Sequence, residues 1–253
     1  MKPILVIEQE YSLRGLGLLG ERLDASGRPY RSLRAWDEPI DGLDAREHSA
    51  IIPLGGNRHA YDADSDAVLG SERRLLREAV EAGVPVLGVC LGGQLLASAL
   101  GGGVRRAREP EIGWLEIVPT DDAPDDPIFS LLDRGVGVYQ WHQDVFEAPA
   151  GASVLARSAA SPNQAFRVDG AEAWGIQFHP ETTPELWELW VARHPVEVKE
   201  AGVDIEQLRR SVYSGARASR PFCAALFDAF IECAVATARS RAETRRRSPT
   251  RAR

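Results

Sequence analysis

Near-continuous apolar runs recur along the chain at "ILVI" (4–7), "AIIPL" (50–54), "VPVLGVC" (84–90) and "AWGIQF" (173–178). Between the first three lie "GLGLLGERLDAS" and "SERRLLREAVEAG". In the second, Leu75, Leu76, Ala79 and Val80 repeat at helical spacing and Gly83 stands where a helix would be capped. Strands buried on both faces and alternating with helices predict an α/β fold: an open, doubly wound, mostly parallel sheet with helices on both faces.

From about Gly113 to Ala173 the pattern changes to short strands, "WLEIVP", "GVGVYQW", "SVLARS" and "QAFRV", separated by turns rich in Pro, Gly and Asp, so some antiparallel strands are expected. Beyond His179 the chain reads as helical. "PELWELWVARH" carries Pro184 at a first-turn position, and Phe222, Leu226, Phe227, Phe230 and Ile231 form a stripe suited to covering one face of the sheet. The expectation is one domain over residues 1–240, with 182–240 as a helical C-terminal extension and 241–253 as an Arg-rich, disordered tail.

Charge and composition narrow the function class. The formal charge is −7, but the last fifteen residues hold seven Arg and one Glu, leaving −13 on the body. So acidic a body is a poor binder of nucleic acid. No apolar run of membrane-spanning length stands out, and the N-terminus turns acidic too early for a signal peptide, which predicts a cytoplasmic protein without a membrane partner. Three cysteines with no C-x-x-C pair argue against a disulfide framework or a zinc site, and the five histidines lack metal-ligand spacing. Cys223 and Cys233 fall in an apolar helical pattern and read as small core residues.

Gly15-x-Gly17-x-x-Gly20 matches a dinucleotide fingerprint by spacing, but the first glycine does not end the preceding strand, and the motif is not assigned to nucleotide binding. Gly88-x-Cys90-x-Gly92 has the better context. It has the form of a nucleophile elbow between strand and helix, which lifts a thiol to the carboxyl edge of a parallel sheet. There the helix amides and dipole favour a thiolate. The bland alternative is a buried structural cysteine beside a tight turn.

"GIQFHPE" (175–181) offers a base. Pro180 keeps His179 extended, and in extended chain Glu181 stands on the same side as His179, where a carboxylate fixes the imidazole tautomer. The candidate set is therefore Cys90, His179, Glu181. Acyl chemistry also needs donors for an oxyanion, and the Leu91 amide with Gly56 of "PLGGN" (53–57) are the candidates.

Together "GVCLGGQLLA", the "GG" loop and "GIQFHPE" resemble class I, triad-type glutamine amidotransferases, most closely the glutaminase domain of GMP synthases and its stand-alone relatives, over roughly residues 3–235. The resemblance implies a flavodoxin-like amidotransferase fold that works without cofactor or metal. It implies that Cys90 attacks the glutamine side-chain amide, that His179 protonates the leaving ammonia and that Glu181 orients His179, with Gly56 and Leu91 at the oxyanion. A γ-glutamyl thioester then hydrolyses to glutamate. By position, Gln94 touches bound glutamine, and Trp141, His142, Gln143 and Asp144 of "QWHQD" hold its amino and carboxylate groups.

"PEIGW" (110–114) and "NQAFR" (163–167) also recur in such relatives, the second as pocket lining. The chain departs from the synthase pattern after the "GG" loop, where Asn57, Arg58 and His59 replace the usual Pro. With no synthetase domain following, ammonia is expected to pass to a separate synthetase subunit. Two alternatives remain: a partner-independent γ-glutamyl amide or peptide hydrolase, and a non-catalytic binding subunit or thiol sensor.

Overall fold

The computed structural model describes residues 2–132, 134–194 and 204–247. Nine strands form one sheet: β1 (Ile4–Glu8), β2 (Tyr30–Arg34), β3 (Ala50–Pro53), β4 (Val86–Val89), β5 (Val104–Pro119), β6 (Val136–Phe146), β7 (Ala152–Arg157), β8 (Ala165–Val168) and β9 (Ala173–Ile176). Their order is β2-β1-β3-β4-β9-β8-β7-β5-β6. The pairings from β2 through β9 are parallel, and those from β9 onward to β6 are antiparallel. The antiparallel half is larger than the short runs of 113–173 suggested, because β5 runs for 16 residues and pairs with β6 as a long ribbon.

Helices cover both faces. On one, α1 (Gly17–Ser26) and α5 (Ile205–Arg247) bury Leu18, Leu19, Leu23, Phe227 and Phe230 against Ile4, Val6 and Trp174. On the other, α2 (Ala67–Glu81) and α3 (Leu91–Ala99) bury Leu69, Leu75, Leu76, Leu95 and Leu96 against Leu5, Ile7 and Phe166. Alternate residues of β1 thus serve opposite cores, as a strand's period of two requires. Each large apolar side chain so enclosed contributes roughly 1.5–3 kcal/mol of transfer free energy.

The C-terminal stripe packs as its spacing implied, with Phe222, Leu226, Phe227, Phe230 and Ile231 all buried. By length and composition α5 is nonetheless apolar enough to cross a bilayer, a property that the sequence pattern did not bring out; its apolar window is partly buried against the sheet. Residues 241–247 continue α5 rather than beginning a disordered tail, and 248–253 lie outside the described residues. A short helix α4 (Pro184–Arg193) precedes α5, with Thr183 as N-cap accepting from the Leu186 amide at 3.2 Å. With α5, it builds a third cluster around Tyr139, Trp187 and Trp190.

Candidate active site

Four parallel strands end at one edge, and each delivers a piece of the site. β1 leads into Gln9, β3 into Gly55 and Gly56, β4 into Cys90, and β9 into Gln177 and His179. This is the carboxyl edge, where open α/β sheets bind ligands.

Cys90 has φ 52° and is the non-glycine residue with positive φ among those described. Such backbone strain in a non-glycine residue costs of order 1–3 kcal/mol and persists only when the surroundings over-determine it. Here the Cys90 amide donates to the Ile176 carbonyl at 2.8 Å while its own carbonyl accepts from Gln94 N at 2.9 Å, fixing both sides of the turn. The flanking glycines leave no room for substitution: a Cβ on Gly92 would lie 2.2 Å from the Pro53 carbonyl oxygen, and one on Gly88 2.5 Å from that of Gly92.

His179 is carried just past β9. Its amide donates to the Tyr139 carbonyl at 2.8 Å, and its Nδ1 meets Glu181 Oε1 at 2.7 Å, both side chains buried. Trp190 lies edge-on to the imidazole, with ring centroids 5.3 Å apart. Burial opposes a charged ring, yet the Glu181 carboxylate and the Cys90 sulfur outweigh it and push His179 up to about 10. Gly55 fills the gap between nucleophile and base. A Cβ there would stand 2.7 Å from His179 Cε1 and 3.4 Å from Cys90 Cβ, so the two side chains face each other across one glycine.

Around the oxyanion position, Gly56 adjoins Leu91, whose Cδ2 would be 2.9 Å from a Cβ on residue 56. The next amide, Asn57 N, is taken by the Glu10 carboxylate at 2.7 Å. Behind the loop, Gln9 Nε2 donates to both oxygens of buried Glu72, at 2.7 and 2.9 Å, and Arg58 donates to Gln9. Burial, against the Gln9 hydrogen bond, pushes the Glu72 carboxyl up to about 7.

Two cavities meet at Cys90. The larger, of about 240 Å³, is lined by Gln94, Trp141, His142, Gln143 and Asp144 together with Arg58, His59 and Arg106, so all five carried-over substrate positions converge there. Asp144 Oδ2 pairs with His59 Nδ1 at 2.5 Å, and Asp144 Oδ1 is buried without a hydrogen-bond partner among the described residues. A buried carboxylate oxygen with guanidinium groups along the same wall matches the two charges of an α-amino acid. The smaller cavity shares Gly56, Asn57, Cys90 and Trp141 with the larger one and is lined besides by His179 and Glu181 with Leu13, Leu54, Trp190 and His194.

Several supporting residues are not evident from the sequence motifs. Gln177 Nε2 approaches Cys90 Sγ at 3.7 Å and Gln177 Oε1 accepts from Gln94 Nε2 at 3.3 Å, tying the elbow helix to the base-bearing segment. The same alternation that placed Glu181 beside His179 places Gln177 on that side too. Segment 163–167 does not line either cavity, contrary to expectation. Gln164 instead donates to Glu111 Oε2 at 2.7 Å, and Glu111 pairs with His142 at 3.3 Å, so "NQAFR" and "PEIGW" brace the pocket from behind. Burial raises the Glu111 carboxyl, but the His142, Ser158 and Gln164 hydrogen bonds prevail and hold it below the usual range.

The glycine motif of residues 15–20 also serves this site. Gly17, at φ 48°, lies against the Glu181 carbonyl, which accepts from Leu18 N at 2.9 Å. The N-terminus of α1 is therefore occupied by the segment carrying the acid.

The profile of the family "Glutamine amidotransferase class-I" matches residues 29–193. The chain is 36% identical over 144 residues to one of the subunits of a glutamine-hydrolysing GMP synthase from Pyrococcus abyssi, which covers 56% of this chain and 71% of that one. It is 32% identical over 195 residues to a glutamine-hydrolysing GMP synthase from Parafrankia sp., where it covers 76% of this chain but only 34% of that longer protein. Among solved structures, a glutamine amidotransferase from Thermotoga maritima superposes with a TM-score of 0.81 at 26% identity, covering 91% of this chain and 98% of that one. Another from Methylobacillus flagellatus gives 0.82 at 28% identity, covering 92% and 95%.

Proposed function

The chain belongs to the class-I glutamine amidotransferases, and from that premise we propose that it hydrolyses the side-chain amide of glutamine to glutamate and ammonia through a thioester on Cys90. The observation that carries this reading is the strained Cys90 facing His179 across Gly55, with Glu181 at 2.7 Å from the far side of the imidazole.

The amino-acid end of the substrate sits in the larger cavity, its amino group on Asp144 and its carboxylate toward the arginines. Sulfur attacks the amide carbon, and the developing oxyanion takes the amides of Leu91 and Gly56. The C–N bond breaks as His179 passes its proton to the nitrogen. Water then enters on the His179 side, the C–S bond breaks, and glutamate leaves. Glu181 holds the ring so that its other nitrogen faces the sulfur. These residues need neither metal nor cofactor for acyl transfer to water.

The Pyrococcus relative is named as one part of a synthase made of subunits, and this supports delivery of the ammonia to a separate synthetase. The test is ammonia release from glutamine by purified protein, alone and with a candidate synthetase, alongside labelling of Cys90 by a chloroketone analogue of glutamine. Ammonia in either mixture, abolished by Cys90→Ala, is the expected result. Silence in all mixtures with no label on Cys90 overturns the reading.

A further inference from the structure

The two cavities divide the chemistry unequally. His179 and Glu181 line the smaller one and not the larger one, whereas Gln94, Arg106 and Asp144 line the larger one only. Acyl transfer needs the leaving nitrogen turned toward the group that protonates it. With the amino-acid end in the larger cavity, whatever is attached to the leaving nitrogen must project into the smaller.

That space does not match ammonia alone. The space open to the centre of a water-sized group is about 40 Å³, whereas a site that just holds one such group leaves its centre almost no freedom, so it takes a nitrogen together with a short substituent. Its wall is mainly apolar: Leu13, Leu54, Trp141 and Trp190, the two indoles meeting edge to face at 6.3 Å. Asn57 and His194 form a polar end, bonded to each other at 3.1 Å. A hydrogen-bonding ammonia gains little from two tryptophans, while a short alkyl group gains by leaving water for them.

We propose that this second cavity seats the N-substituent of the scissile amide, so that the site also takes γ-glutamyl amides of small primary alkylamines. The proposal rests on the acyl-enzyme reading above. The balance is that of the glutamine reaction: the C–S bond forms as C–N breaks, the His179 proton goes to nitrogen, the alkylamine leaves, and water regenerates the thiol and yields glutamate. No further reactant is required.

The probes are γ-glutamylethylamide and γ-glutamylbenzylamide beside glutamine, each with wild-type protein and Leu13→Phe, and with chloroketone labelling of Cys90 measured in parallel. Ethylamine and glutamate are expected from the ethylamide, with kcat/KM within tenfold of that for glutamine or above it. The benzylamide is expected to be at least tenfold poorer than the ethylamide. Leu13→Phe, which narrows the smaller cavity, should lower the ethylamide-to-glutamine ratio at least tenfold. The benzylamide comparison uses wild-type protein and so stands even if that variant misfolds.

Cleavage of glutamine with no cleavage of the ethylamide overturns the proposal and leaves the amidase reading intact. Labelling of Cys90 with cleavage of neither amide also overturns it, since an alkylamide would need no synthetase. Equal turnover of ethyl and benzyl amides overturns the assignment to this cavity. No cleavage and no label overturns both readings together.

Discussion

Gly55 is the spacer between His179 and Cys90: the position its Cβ would occupy lies 2.7 Å from His179 Cε1 and 3.4 Å from Cys90 Cβ. His179 has no room to retreat, being held by Tyr139 O, by Glu181 and by the Trp190 ring. Gly55 does not have positive φ, so alanine is acceptable to the backbone and the whole effect falls on the imidazole. Gly55→Ala is expected to keep the far-UV circular dichroism spectrum and lose about 100-fold or more in kcat, the scale of an ångström misplacement at a reacting centre. A variant with undiminished kcat would show that base and sulfur do not need this spacing.

Glu181 sets the proton affinity of His179. Burial disfavours the imidazolium, and the nearby carboxylate and sulfur reverse that to push the ring up to about 10. Because the folded value exceeds the ordinary 6.5, the charged ring favours the fold fully below about 6.5, and this contribution is lost as pH rises through about 10. Glu181→Gln removes the larger of the two opposing charges. The alkaline limb of the kcat profile should move to lower pH, and kcat at neutral pH should fall by about 10²–10⁴-fold. An alkaline limb unmoved by Glu181→Gln would show that the limb does not report His179.

The three cysteines should react unequally. Cys90 lines both cavities. Burial pushes Cys223 up to about 12, and burial with the Glu172 carboxylate, to which the thiol donates at 3.0 Å, does the same for Cys233. Only the thiolate is a useful nucleophile. Iodoacetamide at pH 7.5 is expected to modify Cys90 first, and Cys90→Ser to slow total modification of native protein at least tenfold. Mass spectrometry of digested protein locates the label; first modification at Cys223 or Cys233 would contradict the assignment.

What could be read along the sequence is what is locally encoded. The elbow at Cys90 announces itself through a buried strand, a glycine at each flank and a helix, and His179–Glu181 through extended alternation after a proline. β2 is not legible because it is an edge strand with only Leu33 buried, so "YRSLR" carries no apolar run. The first half of β5 is hidden because it too buries little: Arg105, Arg106, Arg108 and Glu109 face solvent, the first two paired with Val145 and Asp144 of β6 and the last two in the break of register between Arg106 and Glu111. α2 begins at Ala67, earlier than its periodicity shows, since Asp66 caps it through the Val68 and Leu69 amides at 2.9 and 3.1 Å among several neighbouring acids. The braces behind the site, Glu72 on Gln9 and Glu111 on His142, join residues 63 and 31 positions apart and exist only once the sheet has formed.

Glu72 provides the last expectation, and its sign is opposite to that of a paired surface acid. The carboxyl is completely buried on α2 and accepts both of its hydrogen bonds from one Gln9 nitrogen, so burial raises it to about 7 from 4.5. An acid whose folded value lies above its unfolded one favours the fold when protonated. That contribution is complete below about 4.5, declines as pH rises through about 7, and leaves an ionised buried group above that. Glu72→Gln keeps an acceptor for Gln9 Nε2 and removes the charge. In urea unfolding it should therefore stabilise the protein by about 1–3 kcal/mol at pH 8 and change little at pH 5. Equal effects at the two pH values would show that the carboxyl titrates outside this window. A loss of stability at pH 8 would show that its charge, through Gln9 and Arg58, contributes more to holding the 55–58 loop than its burial costs.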